Sequence, residues 1–258
     1  MLTFLRKIRK SLIESGNVKK YLLYAIGEIA LVVIGILIAL QINSWKINLE
    51  NNKLEQYYLS QIVTDISSTS DDLNDAINSA KIRFKCGKNI LAKLGVPSQK
   101  VEITGIDTSS LINFDDILPD DISPLSSSLY KLKLVNVMDI RSAAFVEITS
   151  SGNLAVISDS DLRSEIVEFY EQLKDWAESN NFFRNAGERY VSQLELAGIG
   201  LLDMDKEEII LEKLKNSPAL IAQIKSSNSW AYEQMVTYAQ MKNYIDQFGD
   251  KIKERIRN

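Results

Sequence analysis

The sequence predicts an all-α protein, in which a single N-terminal transmembrane helix is followed by an extracytoplasmic antiparallel helical bundle. One long apolar stretch lies near the N-terminus, and lysine and arginine are concentrated on its N-terminal side. Apolar residues recur every three or four positions through most of the remaining chain, as they do in amphipathic helices. The chain accordingly divides into an arm at 1–20, a transmembrane helix at 21–45 and a helical body at 46–258, with an irregular insert at about 96–138.

The arm at 1–20 is predicted to be cytoplasmic, and it alternates basic with apolar side chains. Its apolar members are Leu2, Phe4, Leu5, Ile8, Leu12 and Ile13. A basic amphipathic helix of this kind lies on the inner leaflet of a membrane. The alternative is a topology signal with incidental hydrophobic residues, and the sequence leaves both interpretations open.

The apolar stretch from Tyr21 to Ile42 covers roughly 33 Å as a helix, which is enough to cross a bilayer. A cleaved signal peptide is the main alternative. The basic region before the stretch is about twenty residues long, however, and no A-x-A pattern follows it, so we favour an uncleaved anchor. Six basic residues precede the stretch, whereas only Lys46 and Lys53 follow it closely. This asymmetry predicts a cytoplasmic N-terminus and a body outside the cytoplasm.

A carboxylate, Glu28, lies within the apolar stretch. An ionisable group at membrane depth is costly and usually faces protein or water. Helical spacing places it on one face with Tyr24, Val32, Gly35, Ala39 and Asn43. Because small residues such as Gly35 and Ala39 let a second helix approach closely, we interpret this stripe as a membrane association face. In the alternative interpretation the hydrocarbon begins at Ala25, and Glu28 reaches the headgroups.

The composition of the body excludes several classes of function. Residues 1–46 hold 7 of the 30 basic and 2 of the 34 acidic residues, so residues 47–258 carry a net charge of −9. A surface that binds nucleic acid needs clustered cations, so no nucleic-acid partner is expected. The chain has no histidine and a single cysteine, Cys86, which removes internal disulfides, imidazole and thiolate-cluster metal ligands and the usual nucleophile systems. With no phosphate-binding loop either, we expect neither catalysis nor a cofactor.

The body begins with one long amphipathic helix, whose stripe runs from Leu54 to Leu94 and which ends at Gly95 and Pro97. The insert that follows is rich in proline, serine and aspartate, and it is predicted to be a loop with brief helical turns. Its acidic doublets are Asp115, Asp116, Asp120 and Asp121. A solvated loop is the favoured interpretation of these doublets, and a calcium site is the alternative.

A short helix ending at Gly152 and three further helices complete the predicted body. Ser158 is the predicted N-cap of the first of these three, whose apolar stripe runs from Leu162 to Leu194. Asp205 is predicted to cap a helix before the last long one, which begins after Pro218.

Two residues of the Leu162–Leu194 stripe, Asn180 and Gly187, are polar or small where apolar residues are expected. They indicate either a helix crossing, with Asn180 exposed or hydrogen-bonded, or a ligand pocket. The first interpretation is favoured. The aromatic residues Trp176, Phe183 and Tyr190 in the same stripe are expected in the core.

The stretch "KYLLYAIGEIALVVIGILIALQINSWKIN" resembles the N-terminal signature of a family of single-span proteins of unknown function from Bacteroidota. The residues that carry the resemblance are Gly27, Glu28, Gly35, Gln41, Asn43 and Trp45. The segment from Ser150 to Tyr170 is similar to a second stretch typical of that family. The resemblance implies a bacterial inner-membrane anchor with a periplasmic domain, and it implies no activity.

Together these features predict a non-catalytic membrane-anchored scaffold or accessory subunit. Its partner is expected to be a second copy or another envelope membrane protein, bound through the span and the periplasmic bundle. The alternative is a periplasmic sensory or ligand-binding module that lacks its own output domain.

Overall fold

A computed structural model describes residues 18–97, 124–200 and 205–257 of the chain. Within these ranges the chain forms six α-helices, one short 3₁₀ helix at Asn153–Val156 and no strand, which confirms the all-α prediction. The α-helices are α1 Val18–Lys93, α2 Leu125–Lys133, α3 Ala143–Ser150, α4 Ser160–Leu196, α5 Glu207–Lys215 and α6 Pro218–Arg257. Residues 1–17 of the predicted arm and the four aspartates of the insert lie outside the described residues.

The chain divides into two compact units, Met1–Glu55 and Gln56–Asn258. The described part of the first unit is the apolar beginning of α1. The second unit, here called the body, is a helical bundle that contains the later part of α1 and all the other helices.

Helices α4 and α6 pack antiparallel through stacked aromatic rings. The ring of Phe169 lies 4.2 Å from that of Phe248, and the ring of Phe183 meets Tyr238 edge-on at 5.8 Å. The predicted stripe of α4 is buried from Leu162 to Leu194 except at Trp176, which is half-buried. Each fully buried large apolar side chain contributes about 1.5–3 kcal/mol, so these stripes are the main source of the stability of the body.

Three glycines allow close approaches between elements of the body. A Cβ built on Gly87 would lie 2.8 Å from Cγ of Asn228, and one on Gly249 would lie 2.9 Å from Ile66. A Cβ on Gly187 would lie 3.0 Å from Val135. Gly187 therefore lies at a close contact, as the helix-crossing interpretation expects, but the neighbour is the segment after α2 and not another helix.

The described part of the insert contributes more to the core than its composition indicated. Helix α2 buries Leu125, Leu129 and Leu132 in a cluster shared with residues of α1, α4, α5 and α6. Glu207 of α5 links this helix to α1 and α2. Its carboxylate accepts hydrogen bonds from Lys93 at 2.5 Å and from the backbone N–H of Leu125 at 3.3 Å. These hydrogen bonds, chiefly that of Lys93, lower the pKa of Glu207. The single thiol, Cys86, is buried in α1.

The two predicted N-caps are wrong by one residue. Asp159, not Ser158, caps α4, because its Oδ1 accepts from the backbone N–H groups of Leu162 and Asp161. Those hydrogen bonds, led by that of Leu162, lower the pKa of Asp159. Helix α5 begins at Glu207 with Lys206 as its N-cap position, while Asp205 pairs instead with Lys213 at 2.7 Å.

Candidate functional site

The apolar part of α1 is exposed along most of its length. Within the described residues, α1 alone is long and apolar enough to cross a membrane, with an 18-residue window of mean hydropathy 2.5. None of that window is buried inside the protein. A core helix of a soluble protein would meet the same length and hydropathy criteria but would be buried, so burial distinguishes this helix from a core helix.

The six residues of the predicted association face all lie on this helix, four residues apart or fewer. Tyr24 and Glu28 are half-buried, while the other four are exposed: Val32, Gly35, Ala39 and Asn43. A Cβ built on Gly35 would meet no atom within 4 Å. Contacts inside the described chain therefore give no packing reason for a glycine at this position. A close approach by another molecule would give one.

In the body, Asn180 belongs to a buried hydrogen-bond network. Its Nδ2 donates to the carbonyl of Met138 at 2.9 Å, and its Oδ1 accepts from the Tyr238 hydroxyl at 2.6 Å. Burial raises the pKa of Tyr238, so this hydroxyl keeps its proton at neutral pH. Asn180 is thus hydrogen-bonded within the protein, as the favoured interpretation requires.

A buried arginine lies in the same region. Arg83 is 2 % exposed and donates from Nη1 to Gln234 Oε1 at 2.6 Å and from Nε to the carbonyl of Leu132 at 3.3 Å. Gln234 in turn donates to the carbonyl of Asn136 at 2.7 Å. Burial lowers the pKa of Arg83 to about 10, so it remains a cation at neutral pH. Among the described residues, the ion pairs do not include Arg83.

Sequence reasoning gave no role to Arg83 or Gln234. A charged residue beside an apolar stripe is usually solvated, so the pattern carried no signal for Arg83. Gln234 lies within α6, and the sequence likewise carried no signal for its hydrogen bonds. Together with Asn180 and Tyr238, these residues hold the chain between α2 and α3 against the three long helices.

An open cavity of about 430 Å³ lies between α4 and the end of α2. It is lined by Lys133, Val135, Arg184, Gly187, Glu188, Val191, Ser192 and Glu195. The lining combines apolar side chains with charged side chains of both signs. Gly187 therefore fits part of the ligand-pocket interpretation as well, whereas Asn180 does not line this cavity.

Within the described ranges, no group of three or more His, Cys, Asp or Glu side chains could hold a metal ion. The aspartate doublets of the alternative calcium interpretation lie between residues 98 and 123, outside those ranges.

Comparison of the chain with protein-family models found no match. Comparisons with curated proteins and with solved structures found none either. The resemblance of the N-terminal stretch to the single-span family stays a prediction.

Proposed function

We propose that this protein is a non-catalytic, membrane-anchored helical scaffold or accessory subunit that associates through the apolar part of α1. The observation that carries the proposal is the exposed apolar window of α1 together with its face of small and polar residues. The partner is a second copy or another envelope membrane protein.

The exposed apolar side chains require a nonpolar environment. Leu31, Ile34 and Leu37 are each more than half exposed, and leaving such a side chain in water forfeits about 1.5–3 kcal/mol. A bilayer supplies that environment for the whole window. Within a bilayer the Glu28 side chain costs a few kcal/mol, and ionisable groups at membrane depth usually face protein or water.

The charge distribution supports an orientation for the proposed anchor. The six basic residues before the span favour a cytoplasmic N-terminus, and the acidic body then lies in the periplasm. This localisation follows the positive-inside rule and the resemblance of the N-terminal stretch.

The association face is tested by the native mass of the full-length protein extracted in a mild detergent. Wild type is expected to run as a defined oligomer or complex, and Glu28→Leu and Gly35→Leu are expected to shift it toward monomer. Gly27→Leu is the matched control, because Gly27 also has no neighbouring atom within 4 Å but lies off the stripe. Equal masses for all four proteins would contradict the role of this face.

The cavity beside Gly187 favours a second candidate function, a ligand-binding module. Its volume of about 430 Å³ falls within the range of roughly 300–1,000 Å³ that is typical of small-ligand pockets. A zwitterionic amino acid that occupied it would raise the unfolding temperature of wild type but not of Arg184→Ala. No change with any of the twenty amino acids would count against this candidate.

A further inference from the structure

Partly exposed aromatic residues of α4 and α6, together with Arg189, form two groups that are here called the aromatic surface: Phe182 with Trp230 and Arg189, and Trp176 with Tyr244. The ring of Phe182 meets Trp230 edge-on at 5.3 Å, and Trp176 meets Tyr244 edge-on at 5.4 Å. The guanidinium of Arg189 lies over the ring of Trp230 at 5.0 Å. Phe182 remains 46 % exposed and Tyr244 42 % exposed, so this is not part of the core.

The composition of the aromatic surface is that of a protein interface. Both tryptophans of the body belong to it. The cores of interfaces are enriched in Trp, Tyr, Phe and Arg, and Trp, Tyr and Arg contribute most of the binding energy. The aromatic surface therefore has the properties of a contact with another protein.

Two charged residues on the face of α4 that carries Phe182 indicate which protein. Asp175 and Arg189 lie seven residues before and seven residues after Phe182, and all three side chains are exposed. Seven residues are about two helical turns, so the three share one face of α4, with about 10 Å between neighbours. Within the described residues Asp175 takes part in no ion pair.

We propose that a second copy of the chain docks on the aromatic surface, with a two-fold axis beside Phe182. Such an axis reverses the direction of α4, so Asp175 of each copy faces Arg189 of the other and the opposite charges pair twice. An isologous contact requires this self-complementarity. The inference rests on the proposed function, because it gives the body a contact with the same partner that the apolar helix is proposed to bind.

The size of the aromatic surface determines where this contact forms. From Trp176 to Arg189 it is about 20 Å long, and across two helices it is about as wide, so it covers roughly 400 Å² of each copy. A stable interface buries about 800 Å² on each partner. The contact is therefore expected between copies already held together in the membrane, where the effective concentration is high.

Photo-crosslinking of the full-length protein in a mild detergent tests the proposal. p-Benzoylphenylalanine replaces Phe182 in one variant and Tyr130 of α2, a similarly exposed aromatic residue, in the control. Irradiation is expected to give a covalent dimer only with the label at 182, with both crosslinked peptides from α4. A crosslink only to a different protein, or equal dimer yields at 182 and 130, would overturn the proposal.

Charge reversal tests the pairing itself. Asp175→Arg and Arg189→Asp are each expected to reduce the dimer yield from position 182 at least fivefold, because like charges then face each other. Mixing these two variants restores opposite pairs at both places, so the yield is expected to return. Yields that do not respond to reversal, or that fail to recover on mixing while circular dichroism shows unchanged folding, would contradict the proposed axis.

The experiment separates the two proposals. If the native mass shows a Glu28-dependent oligomer but position 182 gives no dimer, the aromatic surface is excluded and association through the apolar helix stands. If the native mass is that of a monomer and no crosslink forms, both proposals fail.

Discussion

Glycine serves two different purposes in this protein: some glycines end helices, and others make room for a neighbouring side chain. Gly95 and Gly152 have φ values of 70° and 72° just after helices, where a left-handed conformation ends the helix. Gly87 and Gly249 lie inside helices, where a neighbouring side chain occupies the space that a Cβ would need. The sequence predicted the first purpose from position, but the second depends on neighbours distant in the chain.

Gly87→Ala is expected to destabilise the body although alanine is the better helix former. Propensity favours alanine by about 1 kcal/mol, whereas overpacking costs about 1–3 kcal/mol. Rotation of the Asn228 side chain would relieve this clash only in part, because even Cβ of Asn228 would lie 2.9 Å from the new methyl group. Thermal unfolding of the full-length protein measures the change. Adding Asn228→Gly makes space, so the double variant should be less destabilised than additivity predicts; strict additivity would contradict the steric argument.

The elements of the body differ in how well sequence predicts them. The stripes of α1 and α4 continue for many turns, and the structure buries most of their members as the spacing predicts. Helix α2 has the sequence LSSSLYKLK, in which three serines follow the first leucine, so its short apolar stripe is hard to recognise in the sequence. Its leucines are buried only because α4, α5 and α6 cover them, and such tertiary contacts leave no local pattern.

The candidate functional sites also differ in how well the sequence predicts them. Hydropathy and spacing along one helix predicted the membrane association face, and its association remains a prediction. The aromatic surface and the cavity bring together residues of separate elements, so no spacing within one element indicates them. The sequence predicted that Trp176 lies in the core, whereas its side chain is partly exposed beside Tyr244.

The segment between α2 and α3 is held by buried polar side chains, and this arrangement makes a testable prediction. Gln234→Leu removes a partner of the buried Arg83 cation, and its expected cost is about 2–4 kcal/mol. Replacing both residues, with Arg83→Met added, removes the charge as well, so the double variant should be more stable than Gln234→Leu alone. Denaturant unfolding of the full-length protein compares them.

Gln223→Leu is the matched control for this prediction. Gln223 is also half-buried on α6, but its amide reaches only Ser227 at 3.4 Å. Its replacement is expected to change the stability by no more than about 0.5 kcal/mol. A double variant that is less stable than Gln234→Leu would show that the buried Arg83 cation is not the cause of the lost stability.

At the scale of the whole molecule, the two units differ in solvent preference and in charge. The described apolar helix exposes nonpolar side chains along its length, whereas the body buries its stripes and carries an excess of acidic residues. A protein with this division is expected to place its two units in different environments.

The proposed orientation predicts the outcome of reporter fusions. Alkaline phosphatase, which folds only outside the cytoplasm, is expected to be active when joined after the body. Green fluorescent protein at the same position is expected to remain dark after export. Replacing the six basic residues before the span by glutamine should reduce the phosphatase activity, because their charge retains the N-terminus inside. A fluorescent C-terminal fusion with inactive phosphatase would reverse the orientation.

The buried position of Cys86 has a practical consequence for spectroscopy. Burial raises the pKa of its thiol, and alkylating reagents attack the thiolate, so this cysteine should react slowly at neutral pH. A cysteine introduced on the surface would then take a spin label or fluorophore selectively in the native chain. Distances between labels on neighbouring molecules would thereby become measurable in lipid bilayers without replacing any native residue other than the labelled one.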